Sequence, residues 1–377
     1  MQDERKSLME QEFAARFTGK ATHWVLAPGR VDLMGSHTDY NQGYVLTQAL
    51  EQDTWIAARP RQDRRVKIQS MNMEGSAVFP LDEISYDRQA PWTNYVRGVA
   101  AIFQAEGYTL SGFDGLIHST VPLSSGLSSS AALEVATGIL FNQLDNLGID
   151  PIRLALLCQR AENQFVGVNC GILDQYTSSV CPRGSALLLD CRHLTSQVVP
   201  LHPSVRVVLC DTRLRRELTG TEYAERRAQC EQGVACLAEN YPGVKALRDV
   251  TPAQLTAHAG GLPALVVKRC QFILEENQRV LDLAQALPAG DLAAIRKLTS
   301  ASFAGARDLY EIVIPEMEEM MEAISEAPGA IGARQAGAGF GGCMVAFVHT
   351  DQIESFAEFV IQSYTASSGI QPNIFPA

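Results

Sequence analysis

The chain has 377 residues, 46% of them hydrophobic and 19% charged, and a formal net charge of −11. That length exceeds what one hydrophobic core usually serves, so two globular domains are expected; the acidic balance gives no electrostatic footprint for nucleic acid or an anionic membrane. No apolar run is long enough to span a bilayer, residues 1–6 are too charged for a secretion signal, and the nine cysteines include no C-x-x-C pair, so the expectation is a cytoplasmic protein with reduced thiols and no zinc ribbon.

Residues 5–18 read as an amphipathic helix with Leu8, Phe13 and Phe17 on its apolar side. Residues 24–27 form a strand, and the block 28–43, P-G-R-V-D-L-M-G-S-H-T-D-Y-N-Q-G, follows, with Arg, His, Asp and Tyr concentrated between turn formers. Such a polar knot between apolar flanks is more often functional than core. Taken singly, Arg30, His37 or Asp39 is as well explained by a surface ion pair or turn contact as by a site role. Residues 54–87 read as sheet and turn broken at Pro80, residues 91–95 introduce a helix through Phe103, and 115–119 form a strand. Trp92 and Tyr95 are core or interface aromatics by default, with a place beside a nucleotide base as the alternative.

Residues 122–133, P-L-S-S-G-L-S-S-S-A-A-L, run into a segment whose apolar residues Leu133, Ala136, Leu140 and Leu144 recur at helical spacing. The first turn of a helix leaves backbone N–H groups without intrahelical partners and attracts anions. Small side chains let a polyphosphate approach them, and serine hydroxyls add hydrogen bonds or ligate a metal. A phosphate cradle is expected here, against the plainer account of a polar loop with a serine cap. Residues 151–165 read as a helix carrying Glu162 near its end, and the turn 167–175 holds Asp174 as a base, a metal ligand or a cap. Strands at 186–189 and 205–210 follow, with a domain boundary near residue 200. The second half reads as helices at 221–240, 266–286, 290–307 and 315–326. A second glycine cluster, R-Q-A-G-A-G-F-G-G-C at 334–343, opens a strand at 344–348. There is no G-x-x-x-x-G-K-[ST], the glycine cluster leads into a strand where a dinucleotide loop needs a helix, and no serine sits in G-x-S-x-G.

Three separated blocks resemble one family. Residues 29–41, G-R-V-D-L-M-G-S-H-T-D-Y-N, are similar to the galactokinase signature, usually G-R-V-N-L-I-G-E-H-T-D-Y-N. Residues 122–132 resemble the phosphate-binding motif of the GHMP kinases (galactokinase, homoserine, mevalonate and phosphomevalonate kinases), and 337–343 resemble their third motif. Further galactokinase-like stretches lie at 92–98, 161–175 and 221–230. The resemblance implies an α+β, two-domain GHMP kinase fold. Its N-terminal domain, 1–200, would be like domain 2 of ribosomal protein S5 and its C-terminal domain, 201–377, an α/β sandwich, with the active site between the halves. It implies an enzyme, a sugar 1-kinase using ATP and Mg²⁺, with galactose the leading substrate. The partner expected is a small monosaccharide, not nucleic acid or membrane, and the protein would be a monomer or weak homo-oligomer.

By position, the resemblance makes Asp174 the catalytic base for the anomeric hydroxyl and Arg30 the cation that accompanies it. Ser36, His37, Asp39, Gly171 and Tyr223 fall on sugar-binding positions. Ser124, Ser125, Gly126, Leu127, Ser128, Ser129 and Ser130 fall on the ATP-binding loop, with Trp92 bordering the adenine, and Ser130 and Glu162 match the Mg²⁺ ligands. Three departures stand out: Asp32 replaces the family's asparagine, Ser36 its glutamate, and Ser124-Ser125 the commoner glycine-rich pair. In galactokinases that glutamate contacts the hydroxyl on C6, and kinases for arabinose and galacturonate carry a small residue there. L-arabinose or galacturonate is therefore the alternative substrate, and a non-catalytic sugar and ATP sensor the alternative function.

Overall fold

The computed structural model describes residues 2–123, 125–214 and 221–377, the side chain of Thr221 excepted. The chain divides into two units: Met1–Gly29, Leu50–Pro122 and Ser128–Val180 form the first, Arg30–Ala49, Leu123–Leu127 and Cys181–Ala377 the second.

In the first unit the strands Ser76–Pro80, Arg65–Ser70 and Phe113–Ser119 lie in that order, and the last pairs antiparallel with the later part of the strand Tyr44–Pro60. Alternation explains the sheet: Val66 and Ile68 are buried while Arg65 and Lys67 are not. Arg65–Ser70 and Phe113–Ser119 run parallel, an arrangement that requires a crossover, and the helix Thr93–Ala105 lies in it. The helices Thr93–Ala105, Ser129–Leu144, Pro151–Ala161 and Leu173–Val180 pack on one another. Ile68, Val96, Phe103, Phe113, Leu140 and Leu157 belong to the core beneath them. Leu133, Ala136 and Leu140 are buried as their spacing predicts. Asp150 fixes the start of Pro151–Ala161 by accepting from the backbone N–H groups of Ile152 and Arg153, both at 3.0 Å, with proline at the first helical position.

The N-terminal helix, Gln2–Arg16, buries Met9 and Phe13, and with Phe17 they meet Trp55, Ala57 and Leu116. Leu8, expected on that face, is 47% exposed. The buried set recurs every four residues from Met9, and Leu8 stands about 100° away around the helix axis. The strand expected to stop at residue 27 runs on as His23–Met34, through Pro28 and Gly29. Among the described residues it pairs with the strand Tyr44–Pro60 alone, so the missing N–H of Pro28 can fall on a side that carries no ladder.

In the second unit, Asn373–Pro376, Val205–Asp211, Cys343–His349 and Ala330–Gln335 form a four-stranded antiparallel sheet in that order. The helices Leu292–Gly305 and Pro315–Glu326 pack on it, with Val208, Phe303, Met317, Ala346 and Phe356 in the core. A second core joins Thr221–Asn240 to Ala264–Ala289 through Cys230, Leu237, Val266 and Phe272. The strand Ala186–Asp190 pairs with Thr195–Val199 and with residues 44–48. Among the described residues no helix is long and apolar enough to cross a membrane.

The second glycine cluster is the hairpin loop between Ala330–Gln335 and Cys343–His349. Gly337, Gly339, Phe340, Gly341 and Gly342 all have φ between +59° and +112°, the region glycine enters without steric cost. At Gly339, with φ +81°, an added Cβ would stand 2.5 Å from the carbonyl oxygen of Ile312 and 2.6 Å from its Cβ. Gly107, with φ +90°, has nothing within 4 Å of the same position. Gly107→Ala should therefore cost only the backbone strain, roughly 1–2 kcal/mol, and Gly339→Ala roughly 2 kcal/mol more. Denaturant or thermal melts of the two variants check this; equal losses would mean that the loop relaxes away from Ile312.

Candidate active site

The loop 122–130 is held by its carbonyl groups. In the second unit, the carbonyl of Ser125 accepts from the N–H of Cys343 at 3.2 Å and that of Gly126 from Arg30 Nη1 at 2.7 Å, while the N–H of Arg30 donates to the carbonyl of Leu127 at 3.2 Å. In a planar trans peptide the N–H points away from the C=O. Three carbonyls turned onto protein donors thus leave the N–H groups of Gly126, Leu127 and Ser128 for the opposite side of the loop. Gly126 has φ +81° and Ser128 φ +56°, the left-handed turns that gather successive N–H groups into an anion-binding concavity. Arg30 is 6% exposed. Ser124 lies outside the described residues.

In the first unit, Ser128 occupies the cap position of Ser129–Leu144 but makes no side-chain cap. Its hydroxyl donates to Asp174 Oδ2 at 2.5 Å. The start of this helix is left for another anion. Asp174 was expected in a turn and instead lies in the first turn of the helix Leu173–Val180, directly after the coil that holds Gly171. Half-buried Asp174 faces a cluster of acids. Glu162, 5% exposed, opens a single π-helical turn, Glu162–Val166, at the end of Pro151–Ala161, a distortion frequent at functional sites. Gln175 Nε2 donates both to Glu162 Oε2 at 2.6 Å and to Glu134 Oε2 at 2.9 Å, and Cys170 Sγ lies 3.2 Å from Glu162 Oε2. Burial, and after it the charge of Asp174, push the Glu162 carboxyl up to about 7, against hydrogen bonds from Cys170, Gln175 and Ser130. Burial, and after it the charge of Glu162, also raise Glu134 well above the carboxylate range. Glu134 Oε1 and Gln175 Oε1 are buried without a hydrogen-bond partner.

The sugar-signature positions lie in the second unit. His37, with φ +66°, places Nδ1 2.8 Å from Tyr40 Oη and Nε2 3.1 Å from the carbonyl oxygen of Ala338 in the glycine loop. Tyr40 Oη is 2.8 Å from Tyr310 Oη, which is 3.3 Å from Cys230 Sγ. A carbonyl only accepts, so in the neutral ring Nε2 carries the proton and Nδ1 accepts from Tyr40. Every further bond then has one direction: Tyr310 donates to Tyr40, and Cys230 to Tyr310. The Tyr223 ring lies 5.4 Å from that of His37 and 5.6 Å from that of Tyr40. Asp39 opens the short 3₁₀ turn Asp39–Asn41. Ser36, 2% exposed, donates to Asp32 Oδ2 at 2.7 Å and accepts from Arg334 at 2.7 Å. Trp92, in the first unit, is 9% exposed and its indole N–H donates to the carbonyl of Glu74 at 3.0 Å.

The first unit therefore carries an uncapped helix start beside buried acids, and the second a loop with its N–H groups turned to one side and a chain of hydrogen-bonded phenols. Comparison with known proteins gives the chain a family. Family models match over residues 94–181 ("GHMP kinases N terminal domain"), 11–60 ("Galactokinase galactose-binding signature") and 283–366 ("GHMP kinases C terminal"). A galactokinase of Roseiflexus sp. (strain RS-1) is 44% identical over 351 residues, 93% of this chain and 90% of the relative. The chain belongs to the GHMP kinase family. Within it the protein is galactokinase-like, a sugar kinase and hence an enzyme. The crystal structure of Lactococcus lactis galactokinase complexed with galactose superposes with a TM-score of 0.93 at 33% identity, covering 98% of this chain and 97% of that one. Methanococcus jannaschii mevalonate kinase, at 16% identity, shares the fold with a TM-score of 0.67 over 96% of this chain and 98% of its own.

Glu134, Gln175, Tyr310 and Arg334 receive no role from the sequence alone. A signal for the first exists: a glutamate four residues after Ser130, on a helix buried on nearly every side, demands a polar partner. The phenol chain predicts a coupling. Tyr310→Phe and Tyr40→Phe should each lower stability by about 1–2 kcal/mol, the cost of leaving a buried hydroxyl or ring nitrogen unsupplied. The double variant should lose less than the sum, and strictly additive unfolding free energies would show the two hydroxyls to be independent.

Proposed function

We propose that this GHMP kinase phosphorylates galactose at its C1 hydroxyl with ATP, giving galactose 1-phosphate and ADP. The observation that carries this reading is the Ser128–Asp174 hydrogen bond at the start of Ser129–Leu144. The side chain that would cap the helix is turned onto a carboxylate, so an anion-seeking helix start and a candidate base occupy adjoining turns. The choice of galactose rests on the likeness to galactokinases.

In this mechanism the N–H groups of residues 126–130 hold the nucleotide's phosphates, with the hydroxyls of Ser125 and Ser129 completing the loop while that of Ser128 stays on Asp174. Trp92 borders the base. Asp174 takes the proton of the C1 hydroxyl while that oxygen bonds to the γ-phosphorus and the bond to ADP breaks; the proton later passes to solvent. Arg30, bonded to the loop at Gly126, provides positive charge for the oxygens among which negative charge spreads. Asp39, Gly171, Tyr223 and His37 receive the sugar, His37 being held by both its ring nitrogens.

A divalent cation such as Mg²⁺ fits the residues at hand. Ser130 and Glu162 are hard oxygen donors already hydrogen-bonded to each other. Glu162 is a buried acid hydrogen-bonded to neutral groups, beside Glu134, whose Oε1 has no hydrogen-bond partner among the described residues. Among the described residues no three His, Cys, Asp or Glu side chains form a metal-holding group, so phosphate oxygens would complete the coordination. When bound, the cation would neutralise charge on the transferred phosphoryl group.

A coupled ADP-release assay over galactose, L-arabinose and galacturonate tests the substrate, with galactose expected to give the highest kcat/KM. Asp174→Asn should leave ATP and sugar binding within a few-fold and lower turnover by roughly 10²–10⁴; near-normal turnover would sink the assignment. Ser130→Ala and Glu162→Gln should each shift the Mg²⁺ concentration for half-maximal activity upward, with partial rescue at high Mg²⁺. Unchanged Mg²⁺ dependence in both would reduce these residues to packing.

A further inference from the structure

The two departures from the family signature, Asp32 and Ser36, meet in one buried cluster. Arg334, 0% exposed, donates from Nη1 to Asp32 Oδ2 at 3.2 Å, from Nη2 to Ser36 Oγ at 2.7 Å and to Glu276 Oε1 at 3.2 Å, and from Nε to Ser302 Oγ at 2.9 Å. Glu276 also accepts from Arg279 Nε at 2.8 Å and from the N–H of Gly35 at 3.2 Å. Asp32 Oδ1 accepts from the N–H of Gly337. Burial alone would raise Asp32, but the guanidiniums of Arg334 and Arg30 hold its carboxyl below the usual range. At the centre stand two buried carboxylates and two buried guanidiniums.

We infer that Asp32 and Ser36 act as one positioning unit that supplies a single carboxylate to Arg334, and that the Ser36 hydroxyl serves this unit and not the sugar. The argument is one of donors and acceptors. The Ser36 hydroxyl accepts from Arg334 and donates to Asp32, both of which it can do at once. A carboxylate at 36 beside Asp32 has no proton to donate, and would set two anions against each other at the Arg334 Nη donors that Asp32 and Ser36 now share. An amide at 32 beside Ser36 leaves Arg334 with Glu276 alone. An amide at 32 with a carboxylate at 36 closes again: the amide oxygen accepts from Gly337, its N–H₂ donates to residue 36, and Arg334 regains a counter-ion. The usual family residues at the two positions, Asn and Glu, are that combination.

The unit also has a mechanical role. Asp32 holds the N–H of Gly337, Ser36 holds Arg334 immediately before the glycine loop, and His37 holds the carbonyl of Ala338. The block that carries His37 and Asp39 is thereby fastened to the loop 336–342 at successive points. Changing residue 32 or 36 alone should displace the sugar-binding positions without touching the proton-accepting carboxylate.

The test is a double-mutant cycle of Asp32→Asn, Ser36→Glu and their combination, with Ser36→Ala as a fourth variant. Each of the two single exchanges should lower Tm by roughly 5 °C or more, and the combination should return at least half of the summed loss. Below all the melting points, galactose KM should rise about tenfold in each single variant with kcat within a few-fold, and return to within about threefold of the parent in the combination. Should Ser36→Glu fail to fold, folding of the double variant is itself the expected rescue. Additive losses, or a double variant no better than Ser36→Glu, overturn the inference. So does a Ser36→Ala variant that melts like the parent yet binds galactose tenfold more weakly, since that marks a direct sugar contact. The inference rests on the galactose reading for its kinetic arm only; the melts require no substrate and stand if galactose is not phosphorylated.

Discussion

The N–H groups of residues 126–128 are offered to one side of their loop because three carbonyls are engaged on the other. Arg30 makes two of those engagements, one from its side chain and one from its backbone, and Cys343 makes the third. Two distant stretches of sequence therefore fix the shape of a third. The helix Ser129–Leu144 begins where this restraint ends. Its first turn is uncapped because Ser128 gives its proton to Asp174, so a hydroxyl that would ordinarily stabilise a helix start is committed to an acid. A site of this kind is held open by what its neighbours already bond.

Charge is buried in two contrasting ways. Around Arg334 buried carboxylates and guanidiniums face one another, and Asp32, Glu276 and Arg334 each have several partners. Around Glu162 the partners are an amide, a thiol and a hydroxyl, none of which carries positive charge. The first arrangement stabilises a fixed geometry, and removing any member leaves an uncompensated ion. The second gathers buried acids whose burial and mutual repulsion push their carboxyls above the usual range, the arrangement on which the proposed cation site rests.

Much of this was legible in the sequence. The loop 122–133 announces itself through small residues running into helical periodicity, and helices at 221–240 and 315–326 read close to where they lie. Elsewhere tertiary context prevails. Proline and glycine at 28 and 29 signal a turn, yet the chain stays extended through them because the strand pairs along one side. Thr195–Val199 shows no alternation since four of its five residues face solvent. Ala330–Gln335 hides its strand character behind Arg334 and Gln335, polar residues that are fully buried. The residues missed at the candidate site, Glu134, Gln175, Tyr310 and Arg334, share that property. Their meaning lies in partners tens or hundreds of residues away, and no local pattern encodes a partner.

The two π-helical turns, Glu162–Val166 and Ala306–Tyr310, have a consequence beyond local geometry. Each follows directly on an α-helix and ends at a left-handed residue, Gly167 or Glu311. A π turn accommodates one residue more than an α turn, so it offsets the angular phase of everything that follows by about 100°. Glu162 stands at the beginning of one such offset and Tyr310 at the end of the other. The number of residues in these turns is thus as much a part of the site as their identity. A one-residue deletion in either would return the turn to ordinary α phase, swinging Tyr310, the last residue of one turn, or the segment with Cys170 beyond the other, off its bearing.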